Sequence, residues 1–128
     1  DKSYLQAVGL KQDSIKGFIG LAGPYDFLPF TEAVNEKIFA PKEKFSLSQP
    51  INFIDRLAPP ALLIHGLHDK TVGIHNSRNL SQKISKHGGS VQTKFSEELS
   101  HTSIIARFSK PLRGSGELLE LIADFIAK

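Results

Sequence analysis

Two short apolar runs fenced by glycine and proline limit how this chain can fold more than anything else in it. The first, Ile15-Lys16-Gly17-Phe18-Ile19-Gly20-Leu21-Ala22-Gly23, stops at Pro24; the second, Ala61-Leu62-Leu63-Ile64-His65-Gly66, starts behind Pro59-Pro60. Runs of this length, rich in Ile, Leu and Phe and closed by breakers, read as buried strands and not as helices. Glycines inside the first run imply that another element packs closely against it. A third segment, Ser90 to Ser96, alternates Val91, Thr93 and Phe95 with Gln92, Lys94 and Ser96. That is the pattern of a half-buried strand near a sheet edge.

Helical spacing fills the later gaps. The stretch from about Ile74 to His87 places Leu80 and Ile84 on one face and ends at Gly88-Gly89. A brief helix over Thr102 to Phe108 is expected next. A final one begins with Ser115 as N-cap and carries Leu118, Leu119, Ile122, Phe125 and Ile126 as an apolar stripe. Strands alternating with helices give parallel βαβ units, so the fold class is α/β, with about three parallel strands and flanking helices. The first connection is different. From Pro24 to Pro60 the chain is an irregular, lid-like insertion broken by Pro29, Pro41 and Pro50, with one helix over Glu32 to Phe39. Five of the nine phenylalanines fall there: Phe27, Phe30, Phe39, Phe45 and Phe53. They either tie the segment to the body of the domain or line an apolar substrate pocket. Residues 1–128 contain no internal repeat and read as part of one domain.

Composition removes several function classes. Without cysteine there are no disulfides, zinc–thiolate sites or thiol nucleophiles. Net charge is +3, but the basic residues are scattered, with no run of five, so no nucleic-acid surface is expected. No apolar run approaches the roughly 18 residues of a membrane span. Methionine is absent, even at position 1, so the chain is expected to be a piece of a longer polypeptide.

Loops at the carboxyl ends of parallel strands gather their side chains in one crevice. Three such loops carry ionisable groups: Pro24-Tyr25-Asp26, Gly66-Leu67-His68-Asp69 and Glu97-Glu98-Leu99-Ser100-His101. A carboxylate on one loop can accept a proton-bearing imidazole nitrogen from the next. That fixes the tautomer and leaves the other nitrogen to serve as a base. Asp69 and His101 are the candidate pair. Taken singly, Asp69 could be a turn cap and His101 a helix-start residue, and Asp26 is a second candidate acid. His65, His68 and Asp69 invite a metal reading, but no helix holds the two histidines on one face, so no metal site is expected. His75 and His87 flank a helix and are read as solvent-facing; Glu97 and Glu98 are read as a charged loop.

The local sequences carry a resemblance. His65-Gly66-Leu67-His68-Asp69-Lys70-Thr71-Val72 is similar to the H-G-x-x-D-x-x-V segment that carries the acid in many α/β-hydrolases. Ser100-His101-Thr102-Ser103-Ile104 resembles the loop that carries their histidine. Ile19 to Phe27 resembles the strand and turn that follow the nucleophile helix in feruloyl-esterase-like and acetyl-esterase-like carboxylesterases. The resemblance implies the C-terminal half of an α/β-hydrolase, with acid before base in chain order. It implies a serine hydrolase acting on small carboxylic esters, with Asp69 and His101 catalytic and no cofactor. The chain departs from the family in having no G-x-S-x-G: Gly114-Ser115-Gly116 lacks the spacing and has no strand before it. Nucleophile and oxyanion loop are therefore expected upstream of Asp1, and the fragment alone is expected to be inactive. Its first strand is expected to pair with that missing half or to self-associate through the open sheet edge. The alternative is a non-catalytic, hydrolase-like binding domain.

Overall fold

The computed structural model describes residues 2–128. Its axis is strand β2 (Ala61–Gly66), in which all six residues are buried. Strand β1 (Phe18–Leu21) and strand β3 (Val91–Ser96) flank it in the order β1-β2-β3, both parallel to it. A central strand of a parallel sheet has both faces covered, which is why β2 is apolar without alternation. Ala61 and Leu63 join Tyr25, Ile51, Leu80 and Ile84 on one face. Leu62 and Ile64 join Ala22, Leu99 and Ile104 on the other. Leu62, Leu63 and Ile64 are wholly inaccessible to solvent; burying each contributes about 1.5–3 kcal/mol.

Helix α3 (His75–Lys86) covers the first face through Leu80 and Ile84. Helices α4 (His101–Ala106) and α5 (Glu117–Ile126) cover the second; α1 (Lys2–Ala7) and α2 (Ala33–Ile38) complete the set. No helix among the described residues is long and apolar enough to cross a membrane.

Three local expectations need correcting. Strand β1 is only four residues long: a 3₁₀ turn over Gln12–Ser14 and an exposed Ile15 precede it, and Ala22 after it has φ +47. Strand β3 does not alternate cleanly: Thr93 is exposed, while Gln92 and Lys94 are half-buried. Helix α5 explains this, since Glu117 at its start lies 2.6 Å from Lys94 Nζ across that face. The N-cap of α5 is Gly116 and not Ser115. Gly116 has φ +82, a left-handed conformation that glycine adopts without steric cost.

The segment between β1 and β2 contains α2 and two 3₁₀ stretches, Lys42–Ser48 and Pro50–Phe53. Four of its phenylalanines pack on each other: Phe30 sits 5.8 Å from Phe27, 5.3 Å from Phe39 and 4.8 Å from Phe45 by ring centroids. The segment thus has an aromatic core of its own. Polar bonds fasten its two ends together. The buried Gln49 side chain accepts from the Phe27 amide at 2.6 Å, and the Ile51 amide donates to the Tyr25 carbonyl at 3.0 Å.

Candidate active site

Strand β2 ends at Gly66, and the chain turns at once through Leu67 and His68 to Asp69. The Asp69 side chain is wholly buried. Its Oδ1 accepts two amides of its own turn, Thr71 at 2.8 Å and Val72 at 2.9 Å. Oδ2 accepts from His101 Nδ1 at 3.0 Å. Burial by itself raises the carboxyl pKa; the Val72 and Thr71 amides and His101 outweigh it and hold the group below its ordinary value.

His65, the last side chain of β2, locks this turn from below. Its Nε2–H donates to the Val72 carbonyl at 2.9 Å, which leaves Nδ1 to accept the Ser77 hydroxyl of α3 at 2.7 Å. With both nitrogens committed, the ring is a structural tie between strand, turn and helix and not a metal ligand. His65 Nε2 is also 3.5 Å from Asp69 Oδ2.

The histidine loop reaches Asp69 because residue 66 is glycine. A Cβ there would overlap the Leu99 carbonyl. The loop then enters α4 with Ser100 as N-cap: Ser100 Oγ accepts the Ser103 amide at 3.2 Å, and the Ser100 amide donates to Ser103 Oγ at 2.7 Å. This reciprocal cap holds His101 at the first position of the helix. The His101 side chain is 37% exposed. Its Nδ1–H is given to Asp69, so Nε2 carries the lone pair, and Nε2 has no hydrogen-bond partner among the described residues. The pair is a buried, oriented carboxylate and an imidazole with one nitrogen open.

Other candidates are accounted for elsewhere. Asp26 accepts from Asn79 Nδ2 at 2.7 Å and makes no ion pair with a histidine among the described residues. Its turn is held by the buried Asn76, whose Oδ1 accepts the amides of Tyr25 and Asp26 at 2.8 and 2.7 Å. His68, His75 and His87 are exposed, as are Glu97 and Glu98. No group of three metal-ligating side chains exists among the described residues. Sequence reasoning missed Ser77, Asn76 and the contact role of Gly66. Nothing in their local pattern marks them, because each acts on a residue distant in the chain.

A cleft of about 640 Å³ lies between the aromatic segment and the acid turn. Phe27, Phe30 and Phe39 form one wall; Thr71, Val72 and His75 form the other.

The BD-FAE family model matches residues 2–84. Comparison with the curated proteins finds no match. Among solved structures, a truncated carbohydrate esterase from gut microbiota is 26% identical, with TM-score 0.52 over 63% of this chain and 26% of its own. The carboxylesterase Cest-2923 from Lactobacillus plantarum is 17% identical, with TM-score 0.62 over 79% of this chain and 36% of its own. A propionate-bound thermophilic esterase from Thermogutta terrifontis is 17% identical, with TM-score 0.61 over 88% and 42%. The chain therefore spans between a quarter and under half of these neighbours' lengths. With its match over more than half of the 128 residues and its parallel sheet, the chain belongs to the BD-FAE family and has the α/β-hydrolase type of fold.

Proposed function

We propose that this chain supplies the acid and the base of a serine hydrolase that cleaves carboxylic esters. The observation that carries this reading is the 3.0 Å hydrogen bond from His101 Nδ1 to the buried Asp69, with His101 Nε2 left open. A serine Oγ from outside residues 1–128 attacks the acyl carbonyl while Nε2 takes its proton. Asp69 keeps the ring in the required tautomer and stabilises the imidazolium that forms. His101 then returns the proton to the leaving alkoxide, and water repeats the sequence to release the acid. Ser100 and Ser103, beside His101 in the chain, are taken up in capping α4 through each other. The aromatic wall of the cleft beside the acid turn favours esters with an apolar or aromatic group. The esterase neighbours support the same reaction class. No cofactor enters the scheme.

The test uses the full-length protein and the 128-residue chain side by side. The full-length protein should react with a fluorophosphonate probe and cleave p-nitrophenyl acetate, and His101→Ala should abolish both. The chain alone should do neither. A full-length protein inert to both reagents would sink the enzyme reading and favour a non-catalytic binding domain.

A further inference from the structure

Behind the histidine loop, away from the acid turn, lies a second cavity of about 360 Å³ between β3, the 97–99 loop and the start of α5. Its lining includes three cations, Lys94, Arg107 and Arg113, and three carboxylates, Glu97, Glu98 and Glu117. Only one pair of these is joined: Lys94 Nζ to Glu117 Oε1 at 2.6 Å. No carboxylate among the described residues comes within 4.0 Å of either guanidinium. Arg113 Nε is buried with no hydrogen-bond partner. The Arg107 guanidinium lies beside Gly114, whose φ of +64 favours glycine. The first residues of α5, Glu117 and Leu118, face the same space, and a helix start adds positive potential.

A buried donor needs an acceptor, which a water or a bound ion can supply. Two guanidiniums on one small cavity present forked donors suited to a planar or tetrahedral oxyanion. Glu97 and Glu98 are exposed at its rim and can turn to solvent. We infer that Arg107 and Arg113 form a binding site for a compact oxyanion, a phosphate or carboxylate group of a small molecule, distinct from the Asp69–His101 site. Arg107 directly follows α4, the helix that His101 begins, so an anion here would also brace the base from its far end. The site does not depend on the hydrolase reading.

The experiment is calorimetric titration of the 128-residue chain with inorganic phosphate and, separately, with citrate, against sodium chloride of equal ionic strength. Saturable binding of either anion is expected, with phosphate preference marking a phosphate ligand and citrate preference a carboxylate one. Arg113→Gln and Arg107→Gln should each weaken it roughly ten-fold or more, and Lys86→Gln should leave it unchanged. If Arg113→Gln does not fold, Arg107→Gln and the charge-preserving Arg113→Lys decide. No binding beyond the chloride control, or equal affinity in the arginine variants that fold, would overturn the site.

Discussion

The turn after β2 and the long segment after β1 leave the same end of the sheet, yet they differ in how much of each is fixed by directional bonds. The turn is short and polar: the Thr71 and Val72 amides hold Asp69, and His65 ties the turn to Ser77 of α3. The 24–60 segment is long: Asn76 and Gln49 fasten its ends by hydrogen bonds, and between them it is built on phenylalanines that pack on each other. Directional bonds to a buried strand fix the turn to the strand itself, whereas a cluster of rings fixes its members to one another. This division suits a site in which the acid must not move and the cleft wall must accommodate a ligand.

Four perturbations test that contrast. The largest effect is expected from His65→Ala, which opens a cavity under the turn and strands both Ser77 and the Val72 carbonyl. Chemical denaturation should show a loss of about 3–5 kcal/mol. Next comes Gly66→Ala, whose new methyl collides with the Leu99 carbonyl. It should cost about 2–3 kcal/mol, and the Asp69–His101 hydrogen bond should lengthen in a crystal structure of the variant. Phe30→Ala should cost only about 1–2 kcal/mol, because the ring is half-buried. Limited proteolysis should then cut between residues 27 and 45 while the Asp69 turn stays protected. Failure to separate the two regions in this way would erase the distinction.

The smallest effect is in pH dependence, and its sign is fixed by linkage. The Asp69 carboxyl titrates lower in the folded chain than in the unfolded one. Its ionised form therefore adds stability that is fully present above the ordinary carboxylate range, from about pH 5 upward. That contribution is lost as pH falls through the lower, folded value. Asp69→Asn should flatten the acid limb of a stability–pH curve between about pH 5 and 2 and leave the rest of its shape unchanged.

Much of this was legible in the residues. The unbroken apolar stretch at β2 announced a buried parallel strand, and the loops that follow β2 and β3 named Asp69 and His101 as neighbours. What the chain conceals are contacts made by atoms that every residue has, or by residues remote in sequence. The Leu99 carbonyl against Gly66 is one such contact; the Asn76 amide capping the Asp26 turn from across the molecule is another. The four-residue β1 and the glycine cap of α5 escaped for a related reason. Each is decided by a φ angle or a 3₁₀ turn that propensity alone does not reveal. The phenylalanines were visible as a group, but whether they would face the body, a ligand or one another depended on the path of a proline-broken backbone.

The central claim is that Asp69 holds His101 with its proton on Nδ1 and its lone pair on Nε2. Long-range ¹H–¹⁵N correlation of the His101 ring in the 128-residue chain, under conditions where the ring is uncharged, reads this tautomer directly. The account predicts a protonated Nδ1 and a bare Nε2, with the preference lost in Asp69→Asn. A ring protonated on Nε2, or one whose tautomer is indifferent to Asp69→Asn, would contradict it.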